Sequence, residues 1–158
     1  MQIREARQSD LKAIMNLFEE LNKEHNAALP QIFRKAGRES IEWYLFSIFG
    51  NFNAAIFIAE DEDFLGFIHV TIEQVKGNPL FENRTYAWVH NLLVRKDRRR
   101  KGIGRALMQK AQEWGSLKGA TSTELTVWEF NEEALRFYDS LGYVTLNRHL
   151  IKKSENKE

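Results

Sequence analysis

At 158 residues, 43 % of them apolar and 12 % aromatic, the chain has the length and material for one domain with a packed core, which excludes whole-chain disorder and a cross-linked miniature scaffold. It contains no cysteine, which removes disulfides, iron–sulfur clusters, thiolate zinc sites and a cysteine nucleophile together. The formal net charge is +1, so no global attraction to nucleic acid or to an anionic membrane is indicated.

Residues 2–7 read as a short edge strand. Ser9 is placed to cap a helix whose apolar positions Leu11, Ile14, Met15, Phe18 and Leu21 follow the 3.6-residue period. Pro30 and Gly37 punctuate a loop over 25–37, and a second helix over 39–49 sets Ile41, Leu45, Ile48 and Phe49 on one face. Gly50-Asn51 stops it. Two strands, 54–60 and 64–74, flank the acidic turn Asp61-Glu62-Asp63 and predict a hairpin. After a turn at Gly77-Asn78-Pro79 comes a long strand over 85–94. Beyond the basic stretch that follows, Ile103, Leu107, Ala111 and Trp114 recur at helical steps, with Gly115 and Gly119 as the stop. A strand over 121–128 leads to Asn131, a good N-cap with Glu132 and Glu133 behind it. Leu135, Tyr138 and Leu141 stripe that helix, Gly142 ends it, and 143–151 reads as a last strand.

The fold class is therefore α/β, an α+β mixed sheet in the order β-α-α-β-β-β-α-β-α-β with helices on both faces. The early strands join by short turns and should be antiparallel, while 85–128 should be a right-handed parallel crossover. Residues 1–151 are expected to be a single domain and 152–158 a polar tail. The beginning, MQIREARQSD, lacks the apolar stretch of a signal peptide, and the longest uncharged run, 43–59, falls short of the ~20 apolar residues of a membrane span. The expected setting is cytoplasmic, with no membrane partner.

Charge is concentrated in one place. Residues 95–105 hold Arg95, Lys96, Arg98, Arg99, Arg100, Lys101 and Arg105 against Asp97 alone, so this window carries +6 and the remaining chain −5. Gly102 and Gly104 sit where a strand turns into a helix, so backbone amides can approach a ligand closely. Unpaired first-turn amides and the helix dipole face the same point. This is an anion cradle of the kind that holds a pyrophosphate. It is neither common nucleotide loop: no third glycine completes G-x-G-x-x-G, and G-x-x-x-x-G-K-[ST] is absent. A nucleic-acid module would spread its basic residues over a face, with aromatics between them, which this junction does not.

Arg99-x-x-Gly102-x-Gly104, five residues after Val94, resembles the acetyl-coenzyme A loop of the GCN5-related N-acetyltransferases. Asn131 and the run RFYDSLGY at 136–143 are similar to that family's last motif, and the element order agrees over nearly the whole chain. The resemblance implies that the fourth strand splays from the fifth. Pantetheine would lie in the gap on backbone groups around Leu92, Leu93 and Val94. The pyrophosphate would sit on Arg99, Arg100, Lys101, Gly102, Ile103, Gly104 and Arg105. Asn131 would reach the pantetheine region, and Tyr138 would lie near the thioester sulfur as general acid. The cosubstrate implied is acetyl-CoA, with no metal: His25, His69, His90 and His149 show no ligand spacing.

Acetyl transfer to an amine needs a base, since near pH 7 only about one alkylamine in 10³ is neutral. His90, on the parity of Leu92 and Val94, is the candidate, with an ordinary pKa of about 6.5 suited to the task. Arylalkylamine acetyltransferases, in the same family, carry a His at what looks like this position; many members have an acidic residue near there or use water. Glu73 and Glu129 are further candidates. The partners expected are acetyl-CoA and a primary amine, most simply on a small molecule. A protein N-terminus or lysine stays open as acceptor, as does a CoA-binding sensor without catalysis. The aromatic load of helix two would permit a homodimer, or an acceptor wall.

Overall fold

Continuous apolar runs on either side of an acidic turn, buried on both faces, produce the hairpin at the heart of the sheet: β2 (Ala54–Glu60) and β3 (Phe64–Val75). The computed structural model describes residues 1–152. The chain divides into two units, Met1–Thr126 and Val127–Glu158.

The first unit holds the sheet, in the order β1-β2-β3-β4-β5. β1 (Gln2–Glu5), β2, β3 and β4 (Arg84–Val94) pair antiparallel, and β5 (Thr123–Leu125) pairs parallel with β4. Between β4 and β5 runs α3 (Ile103–Leu117). The pleat sorts side chains between two faces. Ile58, Phe67 and Leu93 stand in register on one, against Ile14 and Leu17 of α1 (Leu11–Ala28) and Ile41 and Leu45 of α2 (Arg38–Phe46). On the other face Phe57 pairs with Ile68 and meets Trp114 of α3 edge-on at 6.3 Å. Ile103, Leu107, Met108 and Ala111 bury α3's inner stripe. Among the described residues no helix is long and apolar enough to cross a membrane.

Ser9 does not cap α1. A 3-10 turn, Gln8–Asp10, precedes the helix, and the Asp10 carboxylate accepts the Arg7 backbone N–H at 2.7 Å. Arg4 draws Asp10 and Glu60 together, donating to each through two nitrogens at 2.7–3.0 Å. Gly115 does not end α3 but lies within it, because a Cβ there would be 2.8 Å from the Ala87 Cβ: the missing side chain lets the helix settle on β4. Gly119, at φ 86°, supplies the left-handed residue beyond the helix.

Gly66 is demanded by β3 and β4 themselves. A Cβ there would lie 2.4 Å from the Leu93 carbonyl oxygen and 3.0 Å from the Val94 Cα. Gly66→Ala must push the strands apart at the end of β4, so urea denaturation should show a loss of roughly 1–3 kcal/mol, as for an overpacked core. An unchanged midpoint would mean that β4 yields freely there.

In the second unit α4 (Glu132–Ser140) is capped as its sequence predicts, Asn131 Oδ1 accepting the Ala134 N–H at 3.1 Å. Gly142, at φ 84°, follows the helix. The final strand expected over 143–151 is not formed: the described residues 143–152 carry no regular structure. A β-prone sequence becomes a strand only where a neighbouring edge takes its backbone groups, and the described sheet ends at β5.

Candidate active site

β4 and β5 are paired only over Ala87–Thr123, Trp88–Glu124 and Val89–Leu125. Among the described residues β4 then runs on through Val94 without a strand partner on that side. On its other side it stays bonded to β3, and the Arg95 N–H donates to the Leu65 carbonyl at 2.9 Å. Strand alternation then turns the amides and carbonyls of Leu92 and Val94 to the open side. Leu93's backbone belongs to the β3 ladder, and its side chain is buried in the core.

At the end of this open edge the chain makes a 3-10 turn, Lys96–Arg98, and enters α3. Gly102, at φ 80°, is the N-cap residue, in the left-handed region that glycine adopts without cost. Arg100, at φ 60°, is left-handed too, which costs a residue with a side chain of order 1–3 kcal/mol and marks functional loops more often than neutral ones. The α3 ladder begins with the Ala106 N–H donating to the Gly102 carbonyl at 3.0 Å. The amides of Ile103, Gly104 and Arg105 precede that bond and point out of the helix end. Ile103 offers only its backbone here, because its side chain is core.

The seven basic residues divide by role. Arg95 bonds Asp97, Lys96 bonds Glu24 at 2.7 Å, and Arg98 reaches Asp63 and Asp97, so these three pin the loop to the fold. Arg99 Nε donates to the Val94 carbonyl at 3.2 Å, joining the loop to the open edge. Arg100, Lys101 and Arg105 are exposed and make no ion pair among the described residues. The result groups the first-turn amides of α3 and three exposed cations beside the open edge of β4, the kind of donor set that suits an anion.

His90 stands where β4 breaks register. His69 of β3 pairs with Asn91 and Val70 with Val89, so His90 is the extra residue of a β-bulge. The bulge resets the alternation, and this corrects the parity expected from sequence. His90 shares its face with His69, not with Leu92 and Val94. The two imidazoles stack at 4.5 Å between centroids, 16° from parallel. His69 is buried and its pKa is pushed down to about 3, by desolvation first and by His90's charge second. Its Nδ1 lies 3.4 Å from the Tyr44 hydroxyl, and its Nε2 is buried without a partner. His90 Nε2 lies 2.9 Å from Thr71 Oγ1, which itself donates to Glu73 Oε1 at 2.8 Å. Desolvation lowers His90's pKa below the ordinary imidazole value, against the opposing charge of Glu73.

The sequence offers His69 only as a histidine without ligand spacing and Tyr44 only among the helix-two aromatics, and it does not mark Thr71, because nothing in the strand pattern shows the bulge that brings them to His90. Of the α2 aromatics, Tyr44 packs into the core cluster, with Phe49 just past the helix, whereas Trp43 and Phe46 are exposed. Asn131, Tyr138 and Glu129 lie in the second unit. Asn131 spends its oxygen on the α4 cap, leaving its amide nitrogen for a ligand. Tyr138 sits between Phe137 and Tyr143, at 5.1 and 5.6 Å, and burial first, then Tyr143, raises its phenol well above the ordinary value. Among the described residues no group of three His, Asp or Glu could hold a metal ion.

Over 89 residues the chain is 33 % identical to the thialysine N-epsilon-acetyltransferase of Caenorhabditis elegans, covering 52 % of this chain and 56 % of that one. It spans between 27 % and 58 % of the length of three curated relatives that it matches. Among solved structures a mutant of the BH1408 protein from Bacillus halodurans superposes with a TM-score of 0.89 at 22 % identity, over 98 % of this chain and all of that one. The acetyltransferase AAC(6')-Iy, bound to a bisubstrate analogue of CoA and acetylneamine, superposes at 0.78 with 17 % identity, over 98 % of this chain and 97 % of that one. At these identities the two structures speak for the fold alone. A model of the acetyltransferase (GNAT) family matches residues 14–143, and the chain belongs to that family.

Proposed function

We propose that the protein moves an acetyl group from acetyl-CoA to a primary amine of a small molecule, by direct attack of the amine on the thioester. The observation that supports this best is the meeting of an unpartnered β4 edge, the amides at the start of α3 and the cations Arg99, Arg100, Lys101 and Arg105. Leu92 and Val94 bond the pantetheine arm, and the helix end and loop take the pyrophosphate. Asn131 supports the arm through its amide. The relative named for an ε-amine agrees with this reading.

In the reaction His90 takes a proton from the ammonium, at a cost of roughly 4–5 kcal/mol if bulk water had to do so. The freed lone pair attacks the carbonyl carbon, and an outward β4 amide holds the oxygen as it becomes negative. The nitrogen sheds its surplus proton to solvent as the C–S bond breaks, and CoA leaves as a thiolate hydrogen-bonded by the Tyr138 O–H, a tolerable leaving group at a thiol pKa of about 8.5, which then takes a proton from solvent.

Titration with acetyl-CoA by calorimetry, followed by an amine screen for free thiol, tests the proposal. Binding with thiol release supports it; binding with no release from any amine identifies a sensor; no binding overturns it. Arg99→Ala combined with Gly102→Ala should weaken acetyl-CoA binding about 10- to 10²-fold, the worth of one or two charge-assisted hydrogen bonds, with the fold retained. An unchanged dissociation constant would remove the cradle from the argument.

A further inference from the structure

The proton of the Thr71 hydroxyl is already committed. It points to Glu73 Oε1, a carboxylate oxygen that can only accept. The 2.9 Å contact between Thr71 Oγ1 and His90 Nε2 must then run the other way, with Nε2–H as donor. We infer that Thr71 and Glu73 are positioning residues that hold His90 in its Nε2–H form, so that Nδ1 carries the lone pair that accepts the amine proton. This rests on the reading that His90 is the base.

The geometry gives each residue one task. The bulge sets His90 and His69 on the same face of the sheet, and the stacked His69 ring limits rotation of the imidazole. Thr71 and Glu73, two residues apart on β3, face the same way by strand alternation. When Nδ1 takes a proton, Nε2–H stays bonded to Thr71, and the new positive charge is opposed by Glu73 through the hydroxyl. The ionisable groups facing His90 are therefore Glu73 and His69, with Tyr44 of α2 behind His69. His69 is neutral at physiological pH and adds no like charge.

The test pairs an NMR titration of the His90 ring in the full chain, without acetyl-CoA, with the pH profile of kcat/KM. In Glu73→Gln and Thr71→Val the His90 midpoint should fall, because the cation loses its stabilising partners. The acidic limb of the profile should fall with it, and kcat should drop about tenfold, a fraction of what a general base contributes. Thr71→Ser, which keeps the hydroxyl, should restore both. The KM for acetyl-CoA should not move. A His90 midpoint indifferent to both variants overturns the positioning role, while His90 remains the base if His90→Gln still abolishes turnover. A midpoint that moves while the acidic limb stays put overturns the inference from the other side, because His90 is then not the base.

Discussion

Tyr138→Phe should lower kcat about 10²- to 10⁴-fold, the range of a general acid–base group, while acetyl-CoA binding and the fold persist. The ring already packs between Phe137 and Tyr143, so removing one oxygen leaves that packing intact. What the proposed reaction would lose is the O–H donated to a sulfur that becomes negative. Burial raises the Tyr138 pKa, which keeps the hydroxyl protonated throughout the working pH range. It also makes full proton transfer to a thiolate of pKa about 8.5 uphill by at least about 2 kcal/mol even from an ordinary phenol at about 10. In the proposed reaction Tyr138 is therefore chiefly a hydrogen-bond donor to the departing sulfur. Two results follow: the phenylalanine variant is slow but not dead, and the wild type shows no alkaline fall in kcat from this group below about pH 10. A variant with wild-type kcat would return Tyr138 to the apolar stripe of α4. So would an alkaline limb below pH 9 that vanishes in Tyr138→Phe, because such a limb requires a lowered phenol.

The elements legible in the sequence were those whose physics is local and periodic. The apolar stripes of α1 and α3, the continuous apolar runs of β2 and β3 on either side of an acidic turn and the Asn131 cap each depend on residues close together in the chain. The turn from strand into α3 was legible from its two glycines, whereas the open β4 edge was expected only from the resemblance of Arg99-x-x-Gly102-x-Gly104 to the family's loop. What was not legible depends on the neighbouring strand or helix. The bulge at His90 exists only as a mismatch between β3 and β4, so sequence parity put His90 on the wrong face. Gly115 looked like a helix stop because its real reason, the Ala87 Cβ of β4, lies 28 positions away. The +6 window looked uniform, yet Arg95, Lys96 and Arg98 are spent on Asp97, Glu24 and Asp63, and Glu24 belongs to a helix far back in the chain.

Lowering the pH should destabilise the protein well before its carboxylates titrate, and His69 is the reason. In the folded chain burial holds its pKa near 3; in the unfolded chain it returns to about 6.5. Between those values the unfolded state binds a proton that the folded state refuses, so stability must rise with pH across the window. The contribution is complete above about pH 6.5 and declines as the pH falls toward 3, by up to roughly 1.4 kcal/mol per unit. From pH 6.5 to 4 that is about 3 kcal/mol, a sizeable part of the 5–15 kcal/mol of an ordinary domain. Asp10 works lower down: Arg4's hydrogen bonds depress its pKa, so its contribution fails only below the ordinary carboxylate value near 3.9. Urea midpoints measured from pH 8 to 4 should therefore fall steadily below 6.5, and in His69→Gln that slope should flatten whatever the variant's stability at pH 8. An equal slope in both proteins would assign the proton uptake elsewhere. Acid also protonates His90, the proposed base, so loss of activity and loss of structure have to be told apart. Circular dichroism at each pH separates them: an inactive protein that is still folded fits protonation of the proposed base, and an unfolding one reports His69.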